Sequence, residues 1–107
     1  MDIEVGIRYA SGSRSFYIEI AEEMIKTKAD EELQGYFDAL DYADYKVRVH
    51  AMKNNLKTIG AVKLGEDAFA LETAAKENRI DFIKENHERF NSAYADVMSK
   101  IDKWINK

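Results

Sequence analysis

The sequence predicts an all-α protein, an antiparallel four-helix bundle with a short N-terminal helix or arm. The chain of 107 residues has no proline and only five glycines, which favours long helices over the many turns of a β-sandwich. Its apolar residues recur at spacings of three and four, as in amphipathic helices. The length and the 46% hydrophobic content suit one core. We therefore expect a single domain over residues 1–107, with residues 1–12 as the arm and the bundle over about 13–104.

The first twelve residues do not follow the helical spacing. Their apolar residues alternate as in a strand, at Ile3, Val5, Ile7 and Tyr9. Nothing downstream resembles a partner strand, and an unpaired strand edge is unfavourable, so we expect a short helix or a docked arm. Ser11-Gly12-Ser13 then breaks the pattern, and Ser13 is placed to cap the first long helix.

Two apolar stripes follow this break. The first consists of Tyr17, Ile20, Ala21 and Met24, and the second of Ala29, Leu33, Tyr36, Phe37 and Leu40. Between Thr27 and Asp30 the helical phase resets, and the acids that begin at Asp30 suit the first turn of a helix, where they complement its dipole. The spacing leaves open whether these stripes belong to one bent helix or to two.

A central helix is predicted between Asp41, a suitable N-cap, and Gly60, which can end a helix in a left-handed conformation. On a helical wheel five apolar residues lie within about 40° of one direction. This core-facing set is Tyr45, Val49, Met52, Leu56 and Ile59. His50 lies roughly 140° away from it, on the solvent side.

Two further helices complete the expected bundle. One spans about Ala61 to Asn78, and its inward residues are Leu64, Ala68, Leu71 and Ala75. The other begins near Asp81, and its stripe is Ile83, His87, Phe90, Tyr94, Val97, Ile101 and Trp104. Because His87 lies on this stripe, we interpret it as a packed or hydrogen-bonded core residue.

The surroundings of His50 suit phosphoryl chemistry. Lys46 precedes it by four residues and Lys53 follows it by three, so both can reach the imidazole. Lys57 lies on the same flank, and Asn54 and Ala43 share the outer face. Imidazole keeps a nucleophilic lone pair near neutral pH, and ammonium groups would stabilise a phosphoryl group of about two negative charges. Exposed histidines and lysines are common, however, and the wheel alone favours an ordinary surface histidine.

Other function classes find little support. There is no cysteine for a disulfide, a thiol nucleophile or a thiolate metal site, and the net charge of −4 argues against a nucleic-acid partner. A di-iron bundle needs glutamate three residues before its histidines, where this chain has Val47 and Lys84. With no signal peptide and no apolar run long enough to cross a membrane, we expect a cytoplasmic location and no membrane partner.

Several motifs together resemble a known family. His50-Ala51-Met52-Lys53 followed by Ile59-Gly60-Ala61 is similar to the core motif of histidine-containing phosphotransfer (HPt) domains, the relay modules of multistep two-component signalling. Asp41-Tyr42, Phe16-Tyr17 and Leu71-Glu72 match further family features in the same order and spacing, so the resemblance covers nearly the whole chain. The main departure is Asn54, where the family most often has glycine.

The resemblance implies a function and a set of partners. His50 would be the phosphoacceptor, Lys53 would stabilise the charge of the phosphoryl group, and receiver domains of response regulators or hybrid histidine kinases would be donor and acceptor. The docking surface would comprise Lys46, Asn54, Lys57 and Ala43. The chain would need no cofactor of its own, because the receiver supplies Mg²⁺ and the acidic pocket, and it would be a monomeric phosphoryl carrier, not an enzyme in its own right.

Two alternatives remain open at this point. A degenerate HPt domain would bind receivers or kinases through the same helical face without being phosphorylated, and the bulk of Asn54 beside the nucleophile is compatible with that. A kinase dimerisation and phosphoacceptor domain also presents histidine on a bundle. Such domains usually carry an acid directly after the histidine, where this chain has Ala51, and they form their bundle as a dimer.

Overall fold

All regular structure in the described part of the chain is helical, as predicted. A computed structural model describes residues 13–106. Its five helices are α1 (Arg14–Thr27), α2 (Ala29–Asp38), α3 (Tyr42–Thr58), α4 (Val62–Lys76) and α5 (Ile80–Ile105). The predicted arm, residues 1–12, lies outside the described residues.

Local signals set the ends of several helices. The Ser13 hydroxyl accepts a hydrogen bond from the backbone N–H of Phe16 at 3.1 Å, and the Asp41 carboxylate accepts one from the N–H of Asp44 at 3.1 Å. These bonds satisfy N–H groups that have no partner within the helix. After α3, Gly60 has a φ of 87°, a left-handed conformation that glycine adopts without strain. The three predicted boundary residues are therefore confirmed.

The two stripes before Asp41 belong to two helices. Lys28 separates α1 from α2 in a left-handed conformation with φ 53° and ψ 51°. The prediction that Leu40 faces inward is wrong, since this side chain is 66% exposed. The reason is that α2 ends at Asp38 and Leu40 has a φ of 57°, so it no longer follows the helical phase.

The five helices pack around a shared core. Helix α3 packs against α2 and α4, and α5 packs against α1, α2 and α4. All five apolar residues predicted to face the core from the central helix are buried: Tyr45, Val49, Met52, Leu56 and Ile59. On α5 the predicted stripe is confirmed up to Tyr94 and again at Ile101, whereas Val97 and Trp104 are only partly buried and Met98 is buried instead. Although α5 has 26 residues, neither it nor any other described helix is apolar enough to cross a membrane.

His87 is the buried histidine that the sequence predicts, with 1% of its surface exposed. Its Nε2 lies 3.0 Å from Oε1 of Gln34, an atom that only accepts, so Nε2 carries the proton. Its Nδ1 therefore accepts a hydrogen bond from the Tyr45 hydroxyl at 3.0 Å, while the Phe37 ring stacks on the imidazole at a centroid distance of 4.0 Å. Both ring nitrogens are thus satisfied by a neutral imidazole, and burial lowers the pKa of His87.

Candidate functional site

Helix α3 presents His50 to solvent, as predicted from the helical wheel, and 51% of its side chain is exposed. Val49 and Met52, one residue before and two after His50, are buried in the core, so the helix is held by its opposite face. The imidazole is therefore accessible on a helix whose orientation the core fixes. This arrangement allows a partner to approach the ring without unfolding any part of the site.

Helices α3 and α4 bring a second set of residues to His50. Three of the contacts between them join residues that lie equally far from Ala61 in the turn: His50 with Glu72, Lys53 with Phe69, and Lys57 with Gly65. Such a register means that the two helices run antiparallel. A Cβ at Gly65 would lie 2.9 Å from Cγ of Lys57, so glycine allows α4 to approach α3 closely enough for Glu72 to reach the imidazole.

The carboxylate of Glu72 lies at the centre of the site. Its Oε2 is 2.5 Å from Nδ1 of His50, and its Oε1 accepts a hydrogen bond from Nζ of Lys53 at 2.9 Å. The side chains of Glu72 and Lys53 are 19% and 14% exposed, so this ion pair is largely shielded from water. Burial raises the pKa of Glu72, but the hydrogen bonds from Lys53 and His50 outweigh it and hold the pKa below its ordinary value.

These contacts fix the tautomer of His50. A carboxylate can only accept, and a lone pair on Nδ1 facing Oε2 at 2.5 Å would be repelled, so Nδ1 carries a proton and donates it to Glu72. In the neutral ring the lone pair is then on Nε2, which points away from Glu72. Lys53 Nζ lies 3.3 Å from Nδ1 as a near neighbour, because both groups donate to the same carboxylate.

The remaining predicted site residues occupy different places around the ring. The amide nitrogen of Asn54 lies 3.4 Å from Nε2 of His50, on the side opposite Glu72. Lys46, Lys57 and Ala43 are exposed on α3, and none of the three makes a hydrogen bond to the imidazole within residues 13–106. The structure therefore brings Lys53 and Asn54 to the imidazole, whereas Lys46 does not make the contact that its spacing allows.

Two residues of the site, one in contact with His50 and one in contact with Lys53, were not identified as site residues from the sequence. Glu72 entered only as part of a family match, and Phe69 did not enter at all. Phe69 is 53% exposed, and Nζ of Lys53 lies 5.1 Å from the centre of its ring, a cation–π distance. Both could have been found by counting outward from the turn at Ala61, because residues equally far from a helical hairpin's turn face each other.

The site contains one imidazole and one carboxylate. No group of three or more metal-ligating side chains occurs among the described residues 13–106. Comparison with protein-family models, with curated proteins and with solved structures gave no match. The geometry of the site therefore indicates its chemistry. It presents a fixed, exposed imidazole with an outward lone pair, next to an ammonium group.

The tautomer of His50 can be tested directly. We expect ¹⁵N NMR of the native protein to report a protonated Nδ1 and an unprotonated Nε2 in the neutral ring. In Glu72→Ala, which removes the acceptor, the balance should move toward the Nε2–H form that predominates in free histidine. Glu66→Ala, an exposed glutamate on the same helix, is the matched control and should leave the spectrum of His50 unchanged. A native spectrum dominated by the Nε2–H form would contradict the assignment.

Proposed function

We propose that this protein is a phosphorelay intermediate of the HPt type, which accepts a phosphoryl group from the phospho-aspartate of a receiver domain onto His50 and passes it to another receiver. One observation carries the proposal: Glu72 binds Nδ1 of the exposed imidazole, so the lone pair of Nε2 points outward while the ammonium of Lys53 lies 3.3 Å from the ring. The HPt resemblance of the sequence supports the same conclusion.

The proposed transfer is an in-line displacement at phosphorus. The Nε2 lone pair of His50 attacks, the new N–P bond forms, and the bond between phosphorus and the receiver's aspartyl oxygen breaks to release the carboxylate. The ring becomes cationic during this step, and its Nδ1 proton stays hydrogen-bonded to Glu72, whose negative charge stabilises that cation. Lys53 offsets the charge of the arriving phosphoryl group. The receiver supplies Mg²⁺ and the acidic pocket, so the chain acts as a carrier.

The antiparallel four-helix bundle belongs to the same proposal, with α1 and α2 together as its first helix, bent at Lys28. The register of contacts supports it. As chain position rises through α1 and α2, the partner position in α5 falls: Tyr17 with Trp104, Asp30 with Asn91, and Gln34 with His87. The pairing of α3 with α4 around Ala61 is also antiparallel.

The proposed docking surface surrounds His50 on α3 and consists of Lys46, Asn54, Lys57 and Ala43. Their exposure supports this role, and two exposed apolar side chains border them, Val47 at 65% and Phe69 at 53%. Such apolar groups beside lysines suit a partner that has an apolar contact patch with acidic edges. A receiver domain presents acidic residues around its phospho-aspartate, so we propose a cytoplasmic one-to-one complex with a monomer of this chain.

Phosphoryl transfer from a panel of phosphorylated receiver domains tests the proposal. We expect the native chain to acquire a label that survives alkali and is lost in acid, as an N–P bond is. Binding to each receiver is measured in parallel. Binding without any label would instead favour the degenerate HPt module, and a stable dimer in a sizing experiment would favour the kinase phosphoacceptor domain. Absence of both label and binding across the panel would contradict the relay function.

A further inference from the structure

Asn54 is the main departure of this sequence from the HPt pattern that it resembles, and its side chain lies 3.4 Å from Nε2 of His50. We propose that the Asn54 amide covers the Nε2 lone pair of His50 in the resting protein and controls its reactivity. This inference rests on the proposed function, because it assigns a regulating role within the same site. It concerns a contact that a glycine at this position could not make.

The geometry of the imidazole supports this role. Glu72 already occupies Nδ1, so Nε2 is the one ring nitrogen with a free lone pair in the neutral form. The amide nitrogen of Asn54 lies 3.4 Å from it, at the long end of hydrogen-bond distances. Asn54 itself is exposed, so its side chain can turn toward solvent without disturbing the core. The contact is therefore a weak, reversible cover.

The amide affects two stages of the transfer. An attacking phosphorus must approach Nε2 closely, and the Asn54 amide already lies 3.4 Å from that atom, so the side chain has to turn away first. Once the N–P bond has formed, the same amide is within reach of the phosphoryl oxygens and can donate a hydrogen bond to them. Asn54 thus slows the reaction of the free imidazole and later adds a neutral hydrogen-bond donor next to the phosphoryl group.

Diethyl pyrocarbonate tests the cover without any partner domain, because this small neutral reagent acylates unprotonated imidazole nitrogen. Mass spectrometry of the modified peptides separates His50 from the buried His87. We expect Asn54→Ala to react about two- to tenfold faster at His50 than the native protein, the change that loss of one hydrogen bond produces. The matched control is Asn55→Ala, an exposed asparagine that lines a cavity on the α1 side of α3, and it should react at the native rate.

The outcomes separate this inference from the proposed function. Equal rates of His50 acylation in the native protein and in Asn54→Ala would overturn the proposed cover, whether or not any receiver transfers a phosphoryl group. Faster acylation of Asn54→Ala, together with no transfer from any receiver to either protein, would leave the cover standing and reject the relay. Faster acylation together with faster receiver labelling of both Asn54→Ala and Asn54→Gly is the result we expect. Circular dichroism checks that each variant keeps its helix content.

Discussion

Replacing His50 with glutamine is expected to abolish the acid-labile phosphoryl label while leaving receiver binding and the fold intact. Glutamine has a similar polar surface but no lone pair on nitrogen that can attack phosphorus. His50 contacts Glu72 and Lys53 at the surface and has half of its side chain exposed, so its loss should change the free energy of unfolding by no more than about 1 kcal/mol. The measurement is label per chain after transfer from a receiver, alongside the binding constant.

The chain provides a strict control for this result. It has two histidines, and His87 is 1% exposed with both ring nitrogens hydrogen-bonded. Because His87 is buried, an acid-labile label that persisted in His50→Gln would lie on a nucleophile other than an exposed histidine, and it would refute the assignment of His50. If His50→Gln lost binding as well as label, the imidazole itself would be part of the docking contact.

Much of the fold could be predicted because local patterns and tertiary packing agree in most segments. In α3 and at its C-cap Ile59, the five inward residues repeat at spacings of three and four between the N-cap Asp41 and Gly60, and all five are buried. The break at Lys28 could not be predicted in this way. Lysine has no special preference for φ above zero, so the left-handed conformation there is imposed by how α1 and α2 each pack on α5.

The candidate site divides in a similar way. The exposure of His50 and the proximity of Lys53 follow from a single helix, and a helical wheel contains that information. Glu72 comes from another helix and reaches His50 through the register of the α3–α4 turn, which a wheel does not describe. The tautomer follows only when Glu72 is in place, and so does the significance of Asn54 beside the other nitrogen. Predicting this site therefore requires pairing helices across a turn before assigning chemistry.

The two histidines show how environment decides the role of one residue type. The Nδ1 atoms of His50 and His87 are both hydrogen-bonded, but to groups of opposite kind. A carboxylate accepts a hydrogen bond from Nδ1 of His50, whereas a tyrosine hydroxyl donates one to Nδ1 of His87 and requires a lone pair there. Protonation of Nδ1 of His87 would therefore break its hydrogen bond from Tyr45. The free energy of unfolding should therefore depend on pH through His87.

Acidification is expected to destabilise the protein through His87. Burial lowers the pKa of His87 in the folded state, although the negative charges of Asp38 and Glu88 act in the opposite direction. Above its ordinary pKa of 6.5 the ring is neutral in both folded and unfolded chains, and the full stability is present. Below that value the unfolded chain takes up the proton first, so the free energy of unfolding falls with pH, by at most about 1.4 kcal/mol per unit from this group.

Urea unfolding of the native protein and of His87→Gln between pH 7.5 and 5.5 measures this effect. Loss of the ring's stacking on Phe37 should make the variant less stable at pH 7.5 by about 1–3 kcal/mol. The difference between the two proteins should then shrink as the pH falls. Both proteins contain His50, so any contribution of His50 cancels in the difference. Because the pKa of Glu72 is lowered, the stability that depends on its negative charge is lost only below pH 4.5, outside this range. A difference that stayed constant would mean that His87 is not kept neutral by its core site.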